Sequence, residues 1–295
     1  MKKKILTLII IVLGAIIAFL SDYMPEPNKI DVVSQNENIL SGNVLKVNFL
    51  DVGQGDSTFA ELPNGEVMLI DAGNPGDGEQ IVKTVKEKGY EKIDYLIATH
   101  PHSDHIGGMA EVVKGLEIGK VYMPKKTHTS KTFENLVNAI SEKGLKITEA
   151  KAGVTVLEEN NLKITILSPI NSEYDDLNNY SAVVKIVYEE TAFLFAADAE
   201  KKVEYELIES GADLKADVLK VGHHGSNTSS ASIFINAVQP EYGVISCGEG
   251  NDYGHPHAKV LELLGENNVS ILRTDKSGTI QITSDGTNVS VEKSE

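Results

Sequence analysis

The chain has 295 residues, of which 41% are hydrophobic and 24% charged, a composition that argues for a folded globular protein and against a disordered one. Its formal net charge of −16 excludes nucleic-acid binding through a broad basic surface, because that mode depends on neutralising phosphates with Lys and Arg. The single cysteine, Cys247, excludes an internal disulfide framework and an all-thiolate zinc cage; in Val244-Ile245-Ser246-Cys247 it reads as a small buried residue.

Lys2, Lys3 and Lys4 precede Ile5 to Leu20, an uncharged and almost wholly apolar run. This is the layout of a secretory signal or an N-terminal membrane anchor over residues 1–20, with positive-inside logic placing the rest of the chain outside. No Ala-x-Ala site and no lipobox cysteine follows, so an uncleaved anchor through residues 5–20 is expected; cleavage would give a secreted protein instead. Residues 21–43 carry Pro25, Pro27 and scattered Asn, Ser and Asp without a period, which reads as a linker. Residues 44–295 then form one catalytic domain. Beyond residues 5–20 no apolar stretch reaches spanning length, so no transport channel is expected in this chain.

Within the domain, β-branched and apolar runs predict strands at 44–50 and 66–70, with a turn at Pro63-Asn64-Gly65. Between them Asp51 to Ser57 is a loop in which Gly53 and Gly55 allow close approach to a ligand; Asp56 can accept from a metal-bound imidazole, and Gln54 is a candidate substrate-binding residue. Asp71, directly after a strand, is placed to orient a metal-ligating histidine. Residues 78–89 read as an amphipathic helix, 93–98 as a buried strand, 120–123 as a strand and 131–144 as a second helix, a strand–helix alternation that predicts α/β layering.

Thr99-His100-Pro101-His102-Ser103-Asp104-His105-Ile106-Gly107-Gly108 follows the 93–98 strand and holds three of the eight histidines. Two residues apart in an extended loop, His100 and His102 project to one side, while Asp104 and His105 add an oxygen and a third nitrogen. That donor set suits two neighbouring divalent metals of the kind that activate water in hydrolytic sites. The two glycines are expected to free the backbone to turn away.

The second half predicts a hairpin over 182–195 ending at Asp198, a helix at 200–210, a strand at 217–221 that delivers Gly222-His223-His224-Gly225-Ser226, a strand at 243–247, and Tyr253-Gly254-His255-Pro256-His257 before a helix at 258–265. Extended backbone would send His223 and His224 to opposite faces, one to metal and one to substrate; His224 is taken as the ligand, the spacing also permitting the reverse assignment. Strands near 270–273 and 279–283 close the chain.

The HPHSDH pattern resembles the signature of the metallo-β-lactamase fold. Together with Val47–Ser57, Leu69–Gly73, Phe195–Asp198, Lys220–Ser226 and Tyr253–His257, it is similar to the soluble hydrolase domain of the ComEC family of competence proteins over about 45 to 285. The resemblance implies a four-layer αββα sandwich with metals at the edge between two β halves, and a nuclease role on incoming DNA. It implies two divalent metal ions, zinc or manganese, with His100 and His102 on one, Asp104, His105 and His224 on the other, and Asp198 bridging. His223 or His257 would assist at phosphoryl oxygens or the leaving group, and His255 would grip a phosphate oxygen. One departure stands out: where the broad superfamily has a further histidine before the distal aspartate, this chain has only His128, in a polar loop, and Asn178 occupies the place that faces metal or substrate.

These readings point to an exported, metal-dependent phosphodiesterase acting on DNA, single-stranded DNA included, with a separate DNA-uptake channel protein as partner. An esterase for a cell-envelope phosphodiester such as decorated teichoic acid is the first alternative. Lactam or thioester hydrolysis ranks lower, and a metal-free binding or assembly module is opposed by the density of His and Asp motif residues.

Overall fold

Short, largely apolar runs on strands covered on both faces, such as Val67–Ile70 and Thr191–Phe195, shape the structure, a computed structural model that describes residues 44–292. Strands β1 (Leu45–Phe49), β2 (Thr58–Glu61), β3 (Val67–Ile70), β4 (Lys92–Ile97), β5 (Glu117–Met123) and β6 (Ile147–Glu149) form the first sheet. The second contains β7 (Val154–Glu159), β8 (Leu162–Ile166), β9 (Val184–Tyr188), β10 (Thr191–Phe195), β11 (Val218–Lys220), β12 (Tyr242–Ile245) and β13 (Ser270–Arg273). The closing hairpin β14 (Ile280–Ser284) and β15 (Val289–Glu292) returns to the first sheet, where β14 pairs antiparallel with β1. Both sheets are mixed: β3, β4, β5 and β6 run parallel in one, and β10, β11, β12 and β13 in the other.

Three apolar clusters divide the interior. Val47 and Phe49 of β1 meet Phe193 and Phe195 of β10 between the sheets, with the Phe49 and Phe195 rings 6.1 Å apart. On the outer face of the first sheet, Leu69 and Leu96 pack under helices α1 (Gly78–Glu87), α3 (Met109–Gly115) and α4 (Lys131–Glu142), α2 (Ser103–Ile106) being the short helix of the histidine motif. On the outer face of the second, Leu194 and Leu219 pack under α5 (Lys201–Glu209), α6 (Ser232–Val238) and α7 (Ala258–Glu266). The result is helix, sheet, sheet, helix, the layered α/β sandwich expected. Strands β2 and β15, the 147–149 strand, the 154–166 hairpin and helix α6 are additions to the expected elements.

The anchor or signal segment expected at 1–20 and the linker at 21–43 lie outside the described residues. Among the described residues, no helix is long and apolar enough to cross a membrane.

Candidate metal centre

In parallel sheets the loops after the strands' carboxyl ends are the usual places for a site. Here Asp71 follows β3, Thr99 and His100 follow β4, Asp198 follows β10, His223 and His224 follow β11, and Ser246 follows β12. Both sheets deliver their residues to one edge, where Ala182 N–H donates to Thr99 O at 2.9 Å across the junction.

The histidine motif changes backbone form partway. His102 is extended (φ −76°, ψ 149°), after which α2 begins, so Asp104 and His105 come from a first helical turn rather than from a loop. The glycines behind it do not act as expected. Gly107 keeps ordinary helical angles (φ −55°, ψ −50°); a Cβ there would fall 2.1 Å from the Asn74 carbonyl carbon, so its role is close packing of α2 on the 72–78 backbone. Gly107 N–H and Gly108 N–H donate to Gly73 O and Ala72 O.

His100, His105 and His224 are each oriented through their second nitrogen. His105 Nδ1–H donates to Asp71 Oδ2 at 2.7 Å, and Asp71 is held in turn by Thr99 N–H and Oγ1–H. His100 Nδ1 rests 3.1 Å from Thr99 Oγ1, and His224 Nδ1–H donates to Ser246 O at 3.0 Å, with Asp56 Oδ1 3.3 Å away. The freed nitrogens converge. His105 Nε2 is 3.3 Å from Asp198 Oδ2 and 3.9 Å from Asp104 Oδ2; His224 Nε2 is 3.3 Å from Asp104 Oδ2 and 3.6 Å from Asp198 Oδ1. Beside them His100 Nε2 lies 3.0 Å from His102 Nδ1 and 3.8 Å from Asp198 Oδ2.

These atoms fit metal ions. A tetrahedral set with bonds of about 2.1 Å has edges of about 3.4 Å; the four imidazole–carboxylate distances just given for His105 and His224 run from 3.3 to 3.9 Å, and one donor atom from each of Asp104, His105, Asp198 and His224 lies within 4.8 Å of the others. His105 Nε2, His224 Nε2 and Asp198 Oδ1 are buried without a hydrogen-bond partner, which proteins seldom tolerate unless another atom completes them. The second group, His100, His102 and Asp198, shares its carboxylate with the first.

Electrostatics agree. Burial alone would depress the His224 imidazole, yet Asp198 and Asp56 pull it up to about 10. His105 is likewise held well above the ordinary range against its burial by Asp198, Asp71 and Asp104. Asp104, although burial raises it, is brought down to about 2, chiefly by His105 and His224. The carboxylates demand positive charge at this point. His100 is pushed well below its ordinary value, first by burial and then by His105, which keeps it a neutral donor atom.

The pair His223-His224 corrects the sequence-based expectation. The two residues are not extended but consecutively left-handed, at φ 49° and 53°, so both rings face Asp198 instead of opposite sides. His223 Nε2 is 3.7 Å from Asp198 Oδ2, while its Nδ1 meets Thr228 Oγ1 at 2.9 Å. Such angles cost non-glycine residues about 1–3 kcal/mol each and mark a site that the surrounding structure over-determines. His223 N–H donates to Ala197 O and its carbonyl accepts from Ser226 N–H, fixing the turn.

The cavity in front of these residues encloses about 290 Å³ and is lined also by Gln54, Ser103, Asn178, Tyr253 and His255. Asn178 sits on a 3-10 turn, Leu177–Tyr180, with its Oδ1 buried and unpartnered. Gln54 reaches the rim and also ties two loops, its Oε1 accepting from Gly248 N–H at 3.1 Å. His255 is pushed down to about 4, first by burial and then by His224 and His223. His257 is not among the residues lining the cavity: its Nδ1 accepts from Asn227 N–H at 3.0 Å and its ring abuts His255, so it braces the rim. Sequence reasoning misses Lys220. Only 2% exposed, it reaches across the sheet junction to place Nζ 2.5 Å from Asp56 Oδ2 and thereby holds Asp56 beside His224. The available signal is a lone lysine in the apolar run Asp217-Val218-Leu219-Lys220-Val221.

Comparison with known proteins agrees with this geometry. The metallo-beta-lactamase superfamily profile matches residues 50–249. ComE operon protein 3 of Bacillus subtilis is 36% identical over 254 residues, 80% of this chain and 32% of that protein; competence protein ComA of Neisseria gonorrhoeae is 31% identical over 251 residues, 84% of this chain and 34% of that protein. The chain thus spans about a third of the length of these curated relatives. Among solved structures, CmlA, a diiron beta-hydroxylase from Streptomyces venezuelae, superposes with a TM-score of 0.53 at 20% identity over 79% of this chain and 52% of its own. Zinc-bound PqqB from Methylobacterium extorquens does so at 0.51 and 9% identity over 78% and 97%. With its site at the junction of two sheets and the superfamily profile covering most of the described residues, the chain belongs to the metallo-beta-lactamase superfamily.

Proposed function

We propose that the protein is a metal-dependent phosphodiesterase whose substrate is DNA. The observation that supports this is the pair of ligand groups joined through Asp198 and opening into a cavity rimmed by neutral donors. His100, His102 and Asp198 would hold one divalent ion and Asp104, His105, Asp198 and His224 a second; when bound, two such ions supply Lewis acidity and a nucleophilic water of lowered pKa. Zinc and manganese both suit this mixed nitrogen and carboxylate set.

The chain's own residues do the rest. Asp71, Thr99 and Ser246 hold the imidazoles so that one nitrogen of each faces inward. His223, pinned by Thr228, presents Nε2 to the cavity, where it can exchange a proton with a leaving-group oxygen. Asn178 and His255 are set to donate to non-bridging phosphoryl oxygens, and the buried floor of the site keeps bulk water from competing.

The resemblance to competence proteins favours DNA over other diesters, with a separately encoded uptake channel as partner. Lys2 to Lys4 and the apolar run 5–20 support a membrane tether that places the domain outside the cell. A cell-envelope phosphodiester suits the tether and the acidic surface as well. The test is turnover by the protein loaded with zinc or manganese of single-stranded DNA, glycerol-phosphate polymer and a bis-aryl phosphodiester, beside Asp104→Ala and His102→Ala. DNA cleavage lost in both variants supports the proposal; turnover of the polymer alone moves the reading to the envelope, and inertness toward every diester rejects it.

A further inference from the structure

An acidic chain that cleaves a polyanion needs a grip other than charge, and none of the described residues lining the cavity is Lys or Arg. What the rim offers instead is an aromatic column. The His255 ring lies nearly parallel to the His224 ring, centroids 6.2 Å apart and planes 28° apart; the Tyr253 ring continues the stack at 5.6 Å and 20°. Tyr253 is 67% exposed, with its outer face uncovered at the cavity mouth. The loop beneath it is clamped: Asn251 Nδ2 donates to Gly248 O and His255 O, and Asn251 Oδ1 accepts from His255 N–H. A ring carried on a braced loop and already stacked on one face loses less freedom when a second ring settles on its other face.

We propose that Tyr253, backed by His255, is a nucleobase-stacking subsite, so that the substrate is an unstacked, single-stranded nucleotide with its base on Tyr253 and its phosphodiester in the cavity. This rests on the phosphodiesterase reading and specifies its substrate. Base stacking on an aromatic ring is sequence-tolerant, because every base has a π-face, and requires no cation. Two consequences follow from the chemistry. A base inside a duplex cannot reach the ring, so double-stranded DNA is cut only where it frays. With no Lys or Arg among the described residues lining the cavity, KM depends weakly on salt, unlike that of proteins that grip phosphates with Lys and Arg.

The test is the ratio of KM values for two short single-stranded oligonucleotides, one abasic at the nucleotide 5′ or 3′ to the scissile diester and one complete, measured with the full chain loaded with zinc or manganese. The ratio is internal to each variant, so a loss of folded protein does not move it. In the wild type it is expected at about 5- to 150-fold in favour of the base, falling toward unity in Tyr253→Ala and returning in Tyr253→Phe and Tyr253→Trp. A wild-type ratio near one, or a ratio untouched by Tyr253→Ala, overturns the stacking subsite while leaving the phosphodiesterase reading in place. Failure to cleave either oligonucleotide overturns the stacking subsite and the DNA reading together.

Discussion

Removing the Lys220 ammonium probes how the site is supported from below. Lys220 and Asp56 are 2% and 5% exposed, and their contact joins β11 to the 51–57 loop of the other half. In Lys220→Met the methylene stem is replaced at similar volume, but the Asp56 carboxylate is left buried without its cation. Breaking one partner of such a pair costs about 3–5 kcal/mol, whereas removing both costs far less. Against a total stability of about 5–15 kcal/mol this is a large fraction. Urea unfolding of the purified protein at neutral pH, followed by circular dichroism, is the assay: Lys220→Met should lower the midpoint strongly, and Asp56→Asn/Lys220→Met should recover most of the loss. The pH dependence has a definite sign. Lys220, acting against the burial that raises it, holds folded Asp56 below its ordinary 3.8, so the pair's contribution is present above that value and is lost as pH falls through the lower folded one. The gap between wild type and Lys220→Met should therefore narrow in acid. If Lys220→Met is no less stable than the double variant at neutral pH, the ion pair does not support this junction.

Other consequences are as direct. Asp71→Asn removes the carboxylate acceptor for His105 Nδ1–H and should weaken metal binding by about 10- to 100-fold in a chelator competition, with little change in the fold's circular dichroism. Gly107→Ala must displace the Asn74 backbone, so it should destabilise by about 1–3 kcal/mol in the same urea assay. Glu204 is buried on α5, where its oxygens accept from Ser230 and Ala231 N–H; burial outweighs these donors and lifts it from 4.5 to about 7. A raised folded value stabilises fully below 4.5 and is lost as pH rises through about 7, so stability should decline across that window by about 3 kcal/mol, a slope that Glu204→Gln should flatten.

The histidine cluster is legible in the sequence because its spacing is local: His100, His102, Asp104 and His105 sit within six residues after a buried strand. Asp71 is legible for the same reason, as a carboxylate at a strand's end. What depends on distant partners is not. The role of Lys220 is not legible until Asp56, 164 residues away, is seen beside it. The direction of His223 and His224 fails because alternation assumes extended backbone, and their left-handed angles are imposed by Ala197 and Ser226 from outside the pair. His257 shares a tripeptide with His255, yet only the fold reveals that Asn227 captures its nitrogen. Leu162–Ile166 alternates cleanly, but its partner strand Val154–Glu159 ends on two consecutive exposed charges, Glu158 and Glu159, which obscure the 154–166 hairpin.

Metal stoichiometry tests the central claim most directly. The protein, purified and equilibrated with zinc or manganese, then desalted, is predicted to retain about two divalent ions per chain by elemental analysis. Because Asp198 belongs to both ligand groups, Asp198→Ala should lower the occupancy of both. Retention of no ion by the wild-type chain, or full retention by Asp198→Ala, would contradict the two-ion centre assigned to this edge of the sandwich.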